Sequence, residues 1–358
     1  MIRKLFAWIA WRFAGVTIGL LRWAKRVIKS NPALYAFANS LRNSQEFSNL
    51  FEHEKMLADP VRVDTYAQAI QKAVKPGDVV VDLGTGSGVL AMLAARQGAK
   101  VYAIDHSDFI HLAEENARRN KIDGIRFIRA NSKNFAPPEK ADLLLHEQIG
   151  DNLFDENMVE NLLDLKRRIL KPGGKILPGR FHLYLEPVAL KREYQVPYLE
   201  EIQVHGLDFT YLAQAGRHFR AADYDRRRVE RDGVEYFLGK PQPVLTVDLN
   251  EIDSSSDLPS VINVTRRVTQ AGQLDAIQQF FAVDFDEETY FDTSPFSRRT
   301  HWTNRVWRVP TRRYEIGETI DYSVSLTDLS VASSWKINLL PETQPRPSLE
   351  PVRLQEAI

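Results

Sequence analysis

The sequence predicts a mixed α/β fold, in which a doubly wound parallel sheet is followed by an antiparallel β-rich domain. Three observations support this prediction. From Gly77 to Pro178, short β-branched runs alternate with helical segments, as in a parallel sheet covered by helices on both faces. Beyond Pro178, strand-like runs follow one another between turn residues, which is typical of antiparallel sheets. With 358 residues, the chain is long enough for two hydrophobic cores.

The elements of the first region alternate in a regular order. β-branched or apolar runs predict strands at 78–83, 100–105, 125–129 and 142–147. Helical periodicity predicts helices at 89–96, 108–120 and 157–170, and the run Lys171-Pro-Gly-Gly is expected to end the last of them. In such a sheet, ligands bind at the carboxyl ends of the strands.

The second region contains β-rich runs separated by turn residues. They predict strands at 181–185, 244–249, 280–285, 306–309 and 320–326. Residues 194–231 are charged and aromatic with mixed periodicity, and we expect a helical excursion there. We therefore divide the chain into an N-terminal segment at 1–30, a parallel-sheet domain at 31–178 and a β domain at 179–358.

The composition excludes several classes of function. The chain has no cysteine, so disulfides, cysteine-ligated zinc, iron–sulfur clusters and cysteine nucleophiles are excluded, and the reducing cytoplasm is the expected compartment. Lysine and arginine together number 47, as do aspartate and glutamate. This balance argues against a nucleic-acid footprint over the whole molecule, so no nucleic-acid partner is expected.

Residues 1–29 carry seven basic side chains and no acidic one. On a helical wheel the bases cover about half of the circumference, and the opposite face is a broad apolar stripe. Arg12 interrupts the longest apolar run, which weighs against a membrane-spanning helix and against a signal peptide. We expect peripheral attachment to a membrane surface, such as the inner membrane. The alternatives are a helix packed on its own domain or on a twin subunit, and export or spanning.

A glycine-rich loop follows the first predicted strand. It reads Asp82-Leu-Gly84-Thr-Gly86-Ser-Gly88, and glycines there let a ligand approach the backbone and the N-terminus of the next helix. Asp105 ends the second strand, where it can accept hydrogen bonds from ribose hydroxyls. Val89 stands where a dinucleotide fingerprint has its last glycine, so the loop suits S-adenosyl-L-methionine better than NAD. The alternatives are a glycine turn without a ligand and a dinucleotide-binding enzyme.

Two glutamates flank a turn after the fourth strand. Glu147 lies at the strand end and Glu156 nine positions later, around Gly150. Two carboxylates in one pocket can grip a guanidinium, which is planar, forked and permanently protonated. They would draw its charge to one side and leave one nitrogen able to attack a methyl group. The alternative is that both are ordinary loop carboxylates.

At this point the sequence resembles the protein arginine methyltransferases. The likeness includes the double-glutamate loop, the glycine loop and further motifs in the same order along the chain, namely 53–62, 171–178, 205–209 and 293–302. The resemblance implies a Rossmann-like cofactor domain, a β barrel and a helical dimerisation arm at about 194–231. We expect a divergent, bacterial-type member that forms a homodimer.

The resemblance also implies roles for single residues at the cofactor. Arg62 would meet the cofactor carboxylate, and Asp105 would take the ribose. Other positions implied near the cofactor are Asp82, Gly84, Gly86, His53 and Ser132. For His53 a helix-capping or surface role is an open alternative.

At the acceptor, the resemblance implies that Glu147 and Glu156 hold the guanidinium. Asp59 would pair with His301 near the exit of the transferred proton. A partner carboxylate raises the basicity of an imidazole and selects its tautomer, which suits a proton acceptor. Met56 and Met158 would flank the target nitrogen, on the cofactor side.

The sequence departs from the family pattern at several positions. Two tyrosines that the family places over the cofactor correspond to Asn43 and Phe47. The tryptophan and tyrosine around the loop glycine correspond to Gln148 and Asp151, which adds a negative charge beside the pocket. The expected activity is methyl transfer from S-adenosyl-L-methionine to a guanidino nitrogen, most simply of arginine in a protein or peptide. The alternatives are a small guanidino or amino metabolite as acceptor, and a non-catalytic cofactor-binding scaffold at a membrane.

Overall fold

A computed structural model describes residues 49–216 and 225–340, apart from the side chains of Glu156 and Ala215. The chain divides into two compact units between Glu54 and Lys55. Of the first unit, only residues 49–54 are described, and they begin helix α1 (Leu50–Leu57). The predicted amphipathic helix at 1–30 lies outside the described residues, and so do Asn43 and Phe47.

In the second unit, β-branched runs form a five-stranded parallel sheet in the order β3-β2-β1-β4-β5. All five residues of β1 are buried, as expected for a strand covered on both faces. The strands are β1 (Val79–Leu83), β2 (Lys100–Asp105), β3 (Ile125–Arg129), β4 (Ala141–His146) and β5 (Leu170–Leu177). The helices of this part are α2 (Pro60–Ala73), α3 (Val89–Arg96), α4 (Phe109–Arg119) and α5 (Met158–Ile169).

The sheet order places the site. Strand β1 is central, with β2 on one side and β4 on the other. The chain order reverses there, and ligands of doubly wound sheets bind at such a point, beyond the carboxyl ends of the strands. The glycine loop follows β1, Asp105 ends β2 and Glu147 follows β4. The predicted parallel-sheet fold is thus confirmed, and it brings these three features to one edge.

The second region is antiparallel, as predicted. A seven-stranded sheet has the order β7-β13-β11-β6-β8, with β12 and β9 paired to it, and a three-stranded sheet has the order β10-β14-β15. Its strands are β6 (Arg180–Leu190), β7 (Arg226–Val229), β8 (Val234–Phe237), β9 (Leu245–Asp248), β10 (Val261–Arg267), β11 (Gly272–Asp284), β12 (Tyr290–Asp292), β13 (Asn304–Tyr314), β14 (Thr319–Ser325) and β15 (Lys336–Leu339). The Tyr322 hydroxyl on β14 donates to the Leu185 carbonyl on β6, which ties the two sheets together.

Two local expectations differ from the structure. The run Lys171-Pro-Gly-Gly does not merely end a helix; it lies inside β5, because α5 already ends at Ile169 and the chain turns directly into the sheet. The segment 194–231 was expected to be helical. Its described part holds a 3₁₀ turn (Leu199–Glu201) and one short α-helix, α6 (Thr210–Ala215), and near its end lies strand β7, which pairs with β13. Strand pairing overrides the mixed local periodicity there.

Candidate functional site

The glycine loop between β1 and α3 adopts backbone conformations that favour glycine. Gly84, Gly86 and Gly88 have φ of +71°, +50° and +83°. A side chain at Gly88 would also approach Ala113 of α4, since a Cβ there would lie 3.1 Å from the alanine Cβ. The Thr85 hydroxyl donates to Asp82 Oδ2 at 2.6 Å, which fixes the loop on the end of β1. The sequence therefore builds an open main-chain cradle at this sheet edge.

Asp82 lies beneath this cradle with one carboxylate oxygen unsatisfied. The residue is 1% exposed, and its Oδ1 has no hydrogen-bond partner among the described residues. Burial, with a further contribution from Asp105, raises the pKa of Asp82 to about 7. A buried acceptor without a partner is costly. A cofactor that offers a cationic or hydroxyl donor, as S-adenosyl-L-methionine does, fits this site.

Asp105 links the glycine loop to the end of β2. Its Oδ2 accepts from the Gly86 N–H at 3.0 Å, and its Oδ1 accepts from the Ser107 N–H and hydroxyl at 2.8 and 2.7 Å. The carboxylate thus holds two loops before any ribose is considered. Its predicted contact with ribose hydroxyls stays a prediction, and it would use the remaining lone pairs of these oxygens. Sequence reasoning did not identify Ser107 or Thr85, since single hydroxyls in loops carry no signal of their own.

Arg62 and Glu147, which are predicted to serve cofactor and acceptor respectively, meet directly. Arg62 Nη2 donates to Glu147 Oε2 at 3.0 Å, and the two side chains are only 6% and 11% exposed. Arg62 Nη1 donates to the Met56 carbonyl at 3.2 Å. The Arg62 Nε atom is buried and has no partner among the described residues. Glu147 therefore already holds a guanidinium, that of Arg62, on one of its two oxygens.

Behind Glu147, the end of β4 is held by buried polar contacts. The Tyr66 hydroxyl donates to the His146 carbonyl at 2.9 Å. His146 Nε2 donates to the Pro178 carbonyl at 2.9 Å, and its Nδ1 accepts from the Gln148 N–H at 3.3 Å. Burial lowers the pKa of His146 to about 4, so the ring is neutral at physiological pH, in keeping with these contacts. The strand end that carries Glu147 is thus fixed on both sides.

The loop from Gly150 to Asn157 is folded tightly on itself. The Asn152 amide donates to both carboxylate oxygens of Asp155, at 3.0 and 2.9 Å. A Cβ at Gly150 would lie 2.4 Å from Asp155 Oδ2, so only glycine fits there. Glu156 lies in the 3₁₀ turn Asp155–Asn157, and its side chain lies outside the described part of the structure. The convergence of Glu147 and Glu156 stays a prediction.

Asp59 and His301 form the predicted pair. Asp59 caps helix α2 by accepting from the Arg62 N–H at 3.0 Å, and its Oδ2 accepts from the His301 N–H at 2.9 Å and lies 2.8 Å from His301 Nδ1. Burial raises the pKa of Asp59, but the hydrogen bonds from His301 and Arg62 outweigh it and hold this pKa below its usual range. Asp59 is therefore ionised and can accept a hydrogen bond from the Nδ1–H of His301.

The remaining predicted residues lie at different depths. Met56 is half-buried near the start of α2, and Ser132 is half-buried in the turn after β3. Met158 is fully buried in the hydrophobic core at the start of α5. His53 is buried on α1, in the first unit. The cofactor roles of these four residues stay predictions.

The predicted negative charge of Asp151 does not face a pocket freely. Its Oδ1 and Oδ2 accept from the Thr303 N–H and hydroxyl, at 2.9 and 2.5 Å, and Arg305 Nη2 lies 3.8 Å from Oδ2. Next to Thr303, the Trp302 indole donates to the Ile149 carbonyl at 2.8 Å. This carboxylate is bound by the 301–303 loop, and the expectation of a negative charge beside the pocket stays a prediction.

Comparisons with known proteins agree with this architecture. A family model described as ribosomal protein L11 methyltransferase matches residues 65–179, the part of the chain that builds most of the parallel sheet. The chain is 32% identical to protein arginine N-methyltransferase 6 of Danio rerio over 279 residues, which cover 73% of this chain and 76% of the relative. It is 30% identical to a probable protein arginine N-methyltransferase 6 of Arabidopsis thaliana over 256 residues, 70% of this chain and 57% of that relative.

The match to the rice relative, a probable protein arginine N-methyltransferase 6.2, covers 60% of its length. The chain thus spans less than two thirds of the length of these plant relatives. These relatives come from a fish and from plants, and nothing in them supports the expected bacterial type.

Solved structures show the same fold. The Trypanosoma brucei PRMT1 enzyme–prozyme heterotetrameric complex with AdoHcy superposes with a TM-score of 0.67 at 24% identity, over 78% of this chain and 88% of that one. Arabidopsis thaliana protein arginine methyltransferase 10 superposes with a TM-score of 0.65 at 23% identity, over 79% and 89%. At these identities the superpositions bear on the fold, and they match the parallel sheet followed by antiparallel strands.

Proposed function

The chain belongs to the protein arginine N-methyltransferase family, and from this premise we propose that it transfers a methyl group from S-adenosyl-L-methionine to a guanidino nitrogen of arginine in a protein or peptide. The observation that carries the proposal is the Glu147 carboxylate at the end of β4. It binds the Arg62 guanidinium through one oxygen, and Oε1 accepts no hydrogen bond from the described residues. A carboxylate in this state can accept a second guanidinium.

The residues divide into a cofactor side and an acceptor side. On the cofactor side, the 84–88 main chain, Asp82, Asp105 and Arg62 would hold the cofactor, and Ser132, Met56 and Met158 are further candidates. When bound, the cofactor supplies an electrophilic methyl group on a sulfonium sulfur. On the acceptor side, Glu147 and Glu156 would hold the substrate guanidinium and draw its positive charge away from the attacking nitrogen.

Methylation forms an N–C bond and breaks the S–C bond, and the nitrogen then gives up one proton. His301 is our candidate for the group that takes this proton at Nε2. Asp59 supports the assignment because it is ionised and holds the opposite ring nitrogen at 2.8 Å, which stabilises the imidazolium that forms. The proton then leaves to solvent from a side chain that is 11% exposed.

The test is incorporation of labelled methyl groups. The full chain is incubated with labelled S-adenosyl-L-methionine and an arginine-rich polypeptide, and the polypeptide is digested to amino acids. Labelled methylarginine is the expected result. Label found only with a metabolite extract would instead indicate a small guanidino or amino acceptor, and cofactor binding without any transfer would indicate a scaffold.

We also propose that the chain acts as a homodimer through the segment 194–216. Apolar side chains are unusually exposed there, at 60% for Val196, 60% for Leu207 and 81% for Tyr211. Sedimentation should give twice the monomer mass, and Tyr211→Glu should shift the protein towards the monomer. A monomeric wild-type protein would contradict the proposal.

For residues 1–29 we propose peripheral contact with the cytoplasmic face of a membrane, supported by seven bases opposite an apolar stripe. In the described part of the chain, no helix is both long enough and apolar enough to cross a bilayer. Deletion of residues 1–29 should move the protein from the pellet to the supernatant after sedimentation with anionic liposomes. Equal partitioning of both forms would contradict membrane contact.

A further inference from the structure

Three consecutive residues, His301, Trp302 and Thr303, each contact a different part of the site. His301 binds Asp59, Trp302 donates to the Ile149 carbonyl, and Thr303 donates twice to Asp151. The first contact reaches the start of α2, and the other two reach the loop after Glu147. The 301–303 loop therefore joins the two elements that bear Arg62 and Glu147.

These contacts close a ring around the acceptor side. Arg62 lies on α2, three residues after Asp59, and pairs with Glu147. Four residues after Glu147, Asp151 is bound by Thr303, and two residues before Thr303, His301 returns to Asp59. Rings of this kind restrict each member, because no single contact can shift without straining the others.

Within this ring, the contact between Asp151 and Thr303 holds the loop that follows Glu147. The threonine uses both of its donors, at 2.9 Å from its N–H and 2.5 Å from its hydroxyl, and each reaches a different oxygen of the same carboxylate. Two donors on two oxygens fix orientation as well as distance. We refer to Asp151 and Thr303 as the loop latch.

We propose that the loop latch is a positioning device for methyl transfer: it holds the 147–156 loop so that Glu147 keeps its place against the acceptor guanidinium. The inference rests on the proposed function. Both Asp151 oxygens are bound by Thr303, and one of them also lies 3.8 Å from Arg305, so in this proposal Asp151 acts through the loop and not on the acceptor. Small displacements of catalytic groups cost rate rather than binding of the cofactor.

Matched variants separate positioning from charge. Thr303→Val removes the hydroxyl donor and keeps the shape, whereas Thr303→Ser keeps the donor. Asp151→Ala removes the acceptor, whereas Asp151→Asn removes the charge but can still accept from the Thr303 N–H and donate to its hydroxyl. We expect Thr303→Val and Asp151→Ala each to lower kcat on the order of 10-fold, without additivity when combined. Thr303→Ser and Asp151→Asn should stay near wild type.

The measurements are kcat and KM for an arginine-rich peptide, the cofactor Kd, the melting temperature, and hydrogen exchange of the amides in 147–157. Positioning predicts a fall in kcat and faster exchange in Thr303→Val and Asp151→Ala, with the cofactor Kd unchanged. A raised KM in Asp151→Asn together with a normal Thr303→Val would overturn the proposal in favour of direct charge contact with the substrate. If the melting temperature and the cofactor affinity fall together with kcat, the latch has only a structural role and the proposal is refuted.

Hydrogen exchange also tests the loop latch independently of the proposed methyl transfer. If the wild-type chain transfers no methyl group, the proposed function fails, and the exchange rates still decide whether the latch holds the loop. Unchanged exchange in both Thr303→Val and Asp151→Ala would refute the latch, whatever the activity of the wild-type chain.

Discussion

Two buried arginine–glutamate pairs lie in different regions of the molecule, and they differ in how completely their hydrogen bonds are satisfied. In the antiparallel region, Arg266 donates from Nε and Nη2 to Glu186 at 2.7–3.1 Å, and the Gln242 N–H adds a bond of 3.0 Å to Oε1. Glu186 has no exposed surface. At the edge of the parallel sheet, Arg62 and Glu147 share a single contact of 3.0 Å.

We interpret the first pair as structural and the second as the pair that serves the proposed function. Among the described residues, the buried Arg62 Nε has no hydrogen-bond partner and Glu147 Oε1 accepts no hydrogen bond. Around Arg266 and Glu186, the available donors and acceptors are used within the protein, and the Gln242 carbonyl accepts from Nη2 at 2.7 Å. Buried hydrogen-bonding capacity that the fold leaves unused is what a substrate or cofactor can employ.

The largest effect is expected when the structural pair is broken. Glu186→Gln leaves the Arg266 guanidinium buried without a counter-charge, which should lower the free energy of unfolding by about 3–5 kcal/mol. Denaturant unfolding measures this loss. The methyl-transfer rate per folded molecule should not change, and a selective loss of rate in a stable Glu186→Gln protein would break the distinction between the two pairs.

The second prediction concerns the functional pair. Glu147→Gln should lower kcat by about 10²–10³-fold, or about 2.7–4 kcal/mol, because it removes the charge that stabilises the acceptor in the transition state. The cofactor Kd should stay within about threefold, since Arg62 remains in place. Rates with labelled cofactor and equilibrium cofactor binding test both statements. Turnover equal to that of the wild type would contradict the proposal that Glu147 binds the acceptor guanidinium.

A smaller effect is expected from the titration of His146, which is buried next to Glu147. Burial lowers the pKa of His146 to about 4, below its unfolded value of 6.5, so its contribution to stability is complete above pH 6.5 and is lost as the pH falls through about 4. The loss amounts to about 3 kcal/mol. Unfolding measured from pH 7 to 4 should therefore show a shallower decline in His146→Gln than in wild type. Equal pH dependence in the two proteins would mean that His146 is as accessible to water in the folded protein as in the unfolded chain.

Much of the fold follows from local patterns. The strands at 100–105 and 125–129 and the helix at 89–96 have the predicted bounds, because β-branched runs and apolar periodicity are properties of neighbouring residues. The expectations failed where long-range pairing decided the outcome. The Lys171-Pro-Gly-Gly run lies in β5, and the end of the 194–231 segment forms β7, each in a sheet with strands distant in the sequence.

The candidate site divides in the same way. Asp82, Asp105 and Glu147 were predictable because strand ends of a parallel sheet meet at one edge, and the His301–Asp59 contact followed from the resemblance to a family. The partner of Asp151 was not predictable, because a loop carboxylate in a sequence carries no information about which donors will reach it. Thr303, which binds it, lies 152 positions away.

By itself, the sequence determined the α/β class and the glycine cradle, since these depend on residue type and short spacing, and with the family resemblance it indicated the cofactor class. Only the tertiary structure decided that Arg62 already occupies one oxygen of Glu147, and that both oxygens of Asp151 accept from Thr303. The physical reason is that hydrogen-bond satisfaction is a property of the packed chain. Which donors and acceptors remain unused emerges only after every distant segment has taken its place.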